Sequence, residues 1–138
     1  MISQITEQVS IGTSEDARHA DSNRFDAVLN VAIDFDWRDG FKWRHKVGLF
    51  DGPGNDPLTF FSAVLLLESL TRSGKKVLVH CGAGMSRSVM VVAAWLTAKG
   101  VSNLDTNLHN VMAVRKVTTY RQELYVLAEA ALQLLRKL

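Results

Sequence analysis

The sequence predicts an α/β fold, a central, mostly parallel twisted sheet flanked by helices. Three observations carry that reading. Two short, mostly apolar runs, Asp26-Ala27-Val28-Leu29-Asn30-Val31 and Lys76-Val77-Leu78-Val79-His80, read as strands buried on both faces. Longer segments with helical spacing of apolar residues lie between and after them, at Leu58–Leu70, Ser88–Lys99 and 120–138. Strands that alternate with helices build parallel sheets, and the loops at their C-terminal ends then form the site. The chain has 138 residues, enough for one domain over 1–138 with its own core.

The elements follow in order. Residues 3–11 set Ile5, Val9 and Ile11 among polar neighbours, the pattern of a small edge hairpin. Gly12-Thr13-Ser14 offers a cap for a short helix reaching His19 or Ala20. After the strand at 26–31, residues 32–41 are irregular, with Asp34, Asp36 and Asp39 interleaved with Phe35 and Trp37. That spacing lacks the glycine and terminal glutamate of a calcium loop, so no metal site is expected. Lys42–Leu49 alternates, with Trp43, His45, Val47 and Leu49 on one side, and reads as a further strand in which His45 is structural. Phe50–Pro57 holds two glycines and two prolines in eight residues, an emphatic loop. Asp56 before Pro57 fits the N-cap of the helix at 58–70, which stops at Ser73-Gly74. Gly100 ends the helix after the second buried strand, and Ser102 or Asn103 caps the next, with Leu104, Leu108, Val111 and Met112 at helical spacing. A stripe of Tyr120, Leu124, Leu127, Ala131, Leu134, Leu135 and Leu138 marks a closing core helix.

Composition narrows the function classes. The net charge is +2 with no block of like charge, so a nucleic-acid partner is not expected. The longest apolar run, Val89–Leu96, is too short to span a bilayer, and no membrane association is expected. Met1-Ile2-Ser3-Gln4 lacks the basic and apolar regions of a signal peptide, which points to a cytoplasmic protein. The one cysteine suits a reducing compartment and leaves dithiol redox chemistry without a second thiol. Nothing in the sequence fixes an oligomeric state.

The chemistry concentrates at 81–88. Cys81–Arg87 is a small-residue loop between a strand and a helix. Backbone N–H groups and the positive helix end make such a loop an anion site, and they favour thiolate over thiol at Cys81. Arg87 closes the loop with a planar fork that matches two oxygens of a phosphate. Gly82, Ala83 and Gly84 let the backbone approach those oxygens, and Met85 and Ser86 complete the turn. A loop closed in this way would hold a phosphoryl group against a sulfur nucleophile.

The run His80-Cys81-Gly82-Ala83-Gly84-Met85-Ser86-Arg87-Ser88 fits the pattern HCxxGxxR[ST]. On it, the chain resembles the cysteine-dependent protein tyrosine phosphatases, and its Ser-Arg-Ser ending resembles the small dual-specificity branch. Val9–Thr13 and Val28–Val31 are similar to the opening and first core strand of that branch. The resemblance implies a metal-independent phosphomonoester hydrolase with no cofactor, working through a thiophosphate intermediate. Its implied partners are proteins phosphorylated on tyrosine, serine or threonine. It implies Cys81 as nucleophile, with Arg87 and the N–H groups of 82–87 on the phosphate oxygens. Ser88 would hydrogen-bond the departing sulfur, and His80 would support the loop. An aspartate in the loop after the preceding strand would protonate the leaving oxygen. Asp51, at the strand exit, is favoured over Asp56, which has a capping duty. Asn30 has two readings, a brace for the phosphate loop from the neighbouring strand and a turn-forming asparagine. Gln122 resembles, loosely, a glutamine that helps place water in some relatives. An exposed Cys81 thiolate would be sensitive to oxidation. Three alternatives stay open: an RNA 5′-triphosphatase of related fold, a phosphate-reading module without turnover, and a rhodanese-like sulfur carrier.

Overall fold

The computed structural model describes residues 1–36, 41 and 43–137. Trp37, Asp39, Lys42 and Leu138, each part of a sequence pattern above, lie outside the described residues. The chain opens on a hairpin. Thr6 Oγ1 accepts from the N–H groups of Gln8 and Val9 at 3.2 and 3.0 Å. That turn folds β1 (Ser3–Gln4) antiparallel onto β2 (Val9–Gly12). Helix α1 (Ser14–Arg18) starts at once, because Thr13 and Asp16 satisfy each other's backbone N–H groups in a capping box.

The strand β3 (Ala27–Ala32) is buried along its whole length, and β4 (Trp43–Leu49) pairs parallel to it. Asp56 caps α2 (Pro57–Arg72), with Pro57 in the first turn where its missing N–H costs nothing. The chain leaves α2 through Gly74 at φ +82° and enters β5 (Val77–His80). Next come α3 (Arg87–Ala98), α4 (Leu104–Arg115), capped by Asn103, and α5 (Gln122–Arg136).

The sheet order is β1-β2-β5-β3-β4, with every pairing parallel except the first. β5 is therefore central. Its alternate residues feed two cores: Val77 and Val79 join the large cluster under α2, α3, α4 and α5, while Leu78 meets Val28, Ala17 and Phe25 on the α1 face. Both faces are covered, which is why the buried strands carry apolar residues without alternation. Gly12 on β2 and Asn30 on β3 both register with His80, so β2 and β5 finish side by side and β3 runs on to Ala32 next to them. Between β3 and β4 the register shifts by one residue before Leu49, an irregularity that bends the strand at the same edge. Helix α3 leaves that edge as the most enclosed of the helices, with nine of its twelve residues buried, against α2, α4 and α5.

Candidate active site

Cys81 follows His80 at the end of the central strand and is only 2% exposed. Its Sγ lies 3.2 Å from Ser88 Oγ, in the first turn of α3. The cap residue of α3, Ser86, makes no side-chain cap hydrogen bond, so the first N–H groups of this helix are left without the partner that Thr13, Asp56 and Asn103 supply elsewhere. The loop between needs its glycines. A Cβ on Gly82 would come within 2.7 Å of the Phe35 ring, and one on Gly84, at φ +67°, within 2.5 Å of the Gly12 carbonyl oxygen. Met85 stands at the rim, about half exposed. His80 is buried, with Nδ1 3.1 Å from the Cys81 carbonyl oxygen, and as an N–H donor it holds the first peptide of the loop.

Arg87 is 5% exposed, and its guanidinium is divided between two environments. Nη1 donates to Asp34 Oδ1 at 2.5 Å and to the Leu49 carbonyl at 2.9 Å. Nε is buried and has no hydrogen-bond partner among the described residues. A buried donor left in that condition costs about 1–3 kcal/mol, which an arriving oxygen would recover. The hydrogen bond from Arg87 is the main cause that holds the Asp34 carboxyl below its ordinary range, against the opposing effect of burial. Asp34 was not singled out by its sequence pattern beyond the absent metal loop. Its signal, four residues past Asn30 at the C-terminal edge, becomes visible only once β3 and β5 are neighbours.

The segment that carries Asp34 is tied down from below. Asn30 Oδ1 accepts from Ala32 N at 2.8 Å, and its Nδ2 donates to the Phe35 carbonyl at 2.6 Å. Lys46 Nζ donates to the carbonyls of Ile33 and Phe35 at 3.2 and 3.0 Å. Of the two readings of Asn30, its bonds therefore match the turn-former. Its link to the phosphate loop is indirect, through Phe35 packed on Gly82.

Asp51 and Asp56 have different duties. Asp56 Oδ1 accepts from Leu58 N at 2.9 Å as the cap of α2. Asp51 lies two residues beyond Leu49, whose carbonyl holds Arg87, and pairs with Arg121 Nε at 3.1 Å. The Asn55 side chain staples its loop, accepting from Phe50 N and donating to the Phe50 carbonyl, both at 2.8 Å, and donating to the Gly52 carbonyl at 3.1 Å. Gln122 is the exposed first residue of α5, next to Arg121.

The structure thus gathers Cys81, Ser88, His80 and Arg87 around one uncapped helix end, with Asp51 on the adjoining loop. It corrects one expectation: Cys81 is not exposed, because β5 and the first turn of α3 enclose it. Among the described residues no cluster of His, Cys, Asp or Glu could hold a metal ion, and no helix is long and apolar enough to cross a membrane.

A strand, a cysteine loop and an arginine at a helix start define an α/β enzyme of the phosphatase type. The family model of the dual specificity phosphatase catalytic domain matches residues 9–129, and the chain belongs to that family of protein phosphatases. The chain is similar to dual specificity protein phosphatase 1B of Arabidopsis thaliana, at 32% identity over 104 residues, 71% of this chain and 62% of that protein. It thus spans less than two thirds of the length of that relative. The fold is similar to a mouse putative dual specificity phosphatase complexed with zinc tungstate, with a TM-score of 0.84 at 22% identity over 99% of this chain and 89% of that one. Human DUSP28 gives the same TM-score of 0.84 at 19% identity over 98% and 95% of the two chains.

Proposed function

We propose that this chain is a cysteine-dependent, metal-independent phosphomonoester hydrolase acting on proteins phosphorylated at tyrosine and at serine or threonine. The observation that carries the reading is the divided guanidinium of Arg87. Nη1 is held by Asp34 and Leu49 while the buried Nε has no partner among the described residues, and the next residue, Ser88, carries the hydroxyl that meets Cys81 Sγ. An edge kept open in that way suits a phosphate oxygen.

Cys81 thiolate attacks phosphorus in line. A sulfur–phosphorus bond forms, the ester P–O bond breaks, and Asp51 gives its proton to the leaving oxygen. Arg87 and the loop N–H groups hold the three remaining oxygens and stabilise their charge in the transition state. Water then attacks phosphorus and gives a proton to Asp51, and the sulfur leaves with the Ser88 hydroxyl hydrogen-bonded to it. The products are the dephosphorylated alcohol or phenol and inorganic phosphate. Substrate charge is met by Arg87 and backbone dipoles, so the reaction is expected to proceed in EDTA. The name of the Arabidopsis relative supports protein substrates of both kinds.

The test is release of phenolate from a small aryl phosphate in EDTA by wild type and Cys81→Ser. Hydrolysis by the wild type alone is the expected result. Activity that survives in Cys81→Ser would exclude this nucleophile, and phosphopeptide binding without turnover would leave a phosphate-reading module. Asp51→Asn is expected to lower kcat by roughly 10²–10⁴-fold on a substrate with a poor leaving group.

A further inference from the structure

Arg115 ends α4, where a basic side chain usually does no more than complement the helix dipole. Here the side chain turns to other parts of the chain. Nε donates to the Gly84 carbonyl at 2.9 Å. Nη1 reaches Ser3 Oγ at 3.0 Å, the Ile11 carbonyl at 3.3 Å and the Met1 carbonyl. The contact with Gly84 is close: a Cβ there would lie 2.7 Å from Arg115 Nη2. One guanidinium thus joins the phosphate-binding loop to the first hairpin.

We propose that Arg115 is a positioning residue for phosphate binding, fixing the orientation of the Gly84–Met85 peptide. The inference rests on the phosphatase reading. A trans peptide is planar, with its C=O and N–H on opposite sides. Holding the Gly84 carbonyl toward α4 turns the Met85 N–H to the other side of the loop, toward the anion. The Gly82 carbonyl is held outward in the same way, by Ser14 N at 2.8 Å, which turns the Ala83 N–H inward. The two anchors differ in kind. Ser14 contributes backbone at the start of α1, whereas the Gly84 anchor is one side chain. Without it, glycine at φ +67° has the freedom to let the peptide turn over, and a carbonyl oxygen would then face the phosphate in place of a donor.

Three substitutions separate this role from charge or packing. Glutamine ends with a nitrogen at the position of the arginine Nε, so Arg115→Gln retains a donor for Gly84 and loses the charge and the hairpin contacts. Arg115→Lys retains the charge and places its nitrogen one atom too far. Arg115→Met supplies neither. Inorganic phosphate affinity is measured by calorimetry on the Cys81→Ser background, and kcat and KM on an aryl phosphate with Cys81 intact. Phosphate affinity and kcat/KM are expected to fall about tenfold or more in Arg115→Met and Arg115→Lys, the scale of one charge-assisted hydrogen bond, and to stay within about threefold in Arg115→Gln. Lysine restoring more than glutamine, or three variants alike, overturns the proposal. If Arg115→Met fails to fold in a thermal melt, the order of Gln and Lys decides. A wild type that neither hydrolyses the ester nor binds phosphate removes the phosphatase reading and the proposal with it. An active wild type with the wrong order removes the proposal alone.

Discussion

The carboxylate of Asp34 and the carbonyl of Leu49 share Arg87 Nη1 and leave the Nε of the same guanidinium open. Asp34 is half exposed, so its value lies in aim more than in stability. Asp34→Asn is expected to lower kcat/KM about tenfold, as loss of one charge-assisted hydrogen bond would. Its pH signature has a fixed sign. Arg87 depresses the Asp34 carboxyl, so the folded state gains from the ionised form above the unfolded value near about pH 4 and loses that gain as pH falls through the folded value. The Tm difference between wild type and Asp34→Asn is therefore expected at neutral pH and closes in strong acid. A difference that grows on acidification would contradict the pairing. At this scale the sequence was legible where chemistry is local: Cys81, Arg87 and Ser88 fall within one short run. Asp34 and Arg115 were hidden because their partners lie 53 and 31 residues away, and no local pattern encodes such contacts.

Element boundaries follow from caps and glycines that act on adjacent backbone, and most were readable. Asp56, Asn103, Gly74 and Gly100 end or begin helices where their residue types require. The loop at 50–55 was readable as a loop, but its internal order was not, because Asn55 closes it from both sides with one amide. That staple gives the loop a shape of its own and sets where Asp51 stands. Asn55→Ala removes three hydrogen bonds at little cost to the core, and kcat is expected to fall several-fold, about 1 kcal/mol of misplacement, with Tm nearly unchanged. Equal losses of kcat in Asn55→Ala and Asp51→Asn/Asn55→Ala relative to their own parents would show that the staple does not act through Asp51.

The molecule rests on two unequal cores, divided by the sheet. Truncation in either is expensive where the site is fully enclosed. Leu124→Ala on the buried side of α5 and Leu78→Ala on the α1 face are each expected to cost about 2–5 kcal/mol in denaturant unfolding. The class and the mostly parallel sense of the sheet were readable from the buried strand runs; the strand order and the division of labour between the faces were not, since buried strands on a covered sheet show no alternation. The enclosure of α3 has a further consequence. The helix that brings Arg87 and Ser88 to Cys81 is buried in nine of twelve positions and packs on three other helices. The amide protons beyond its first turn can reach solvent only when those layers separate, so they are expected to exchange with deuterium at the rate set by global opening. The stapled loop that bears Asp51 lies outside and is expected to exchange by small local fluctuations. In rising denaturant the body of α3 and the global fold are then expected to disappear on one curve, while deuterium enters at Asp51 long before.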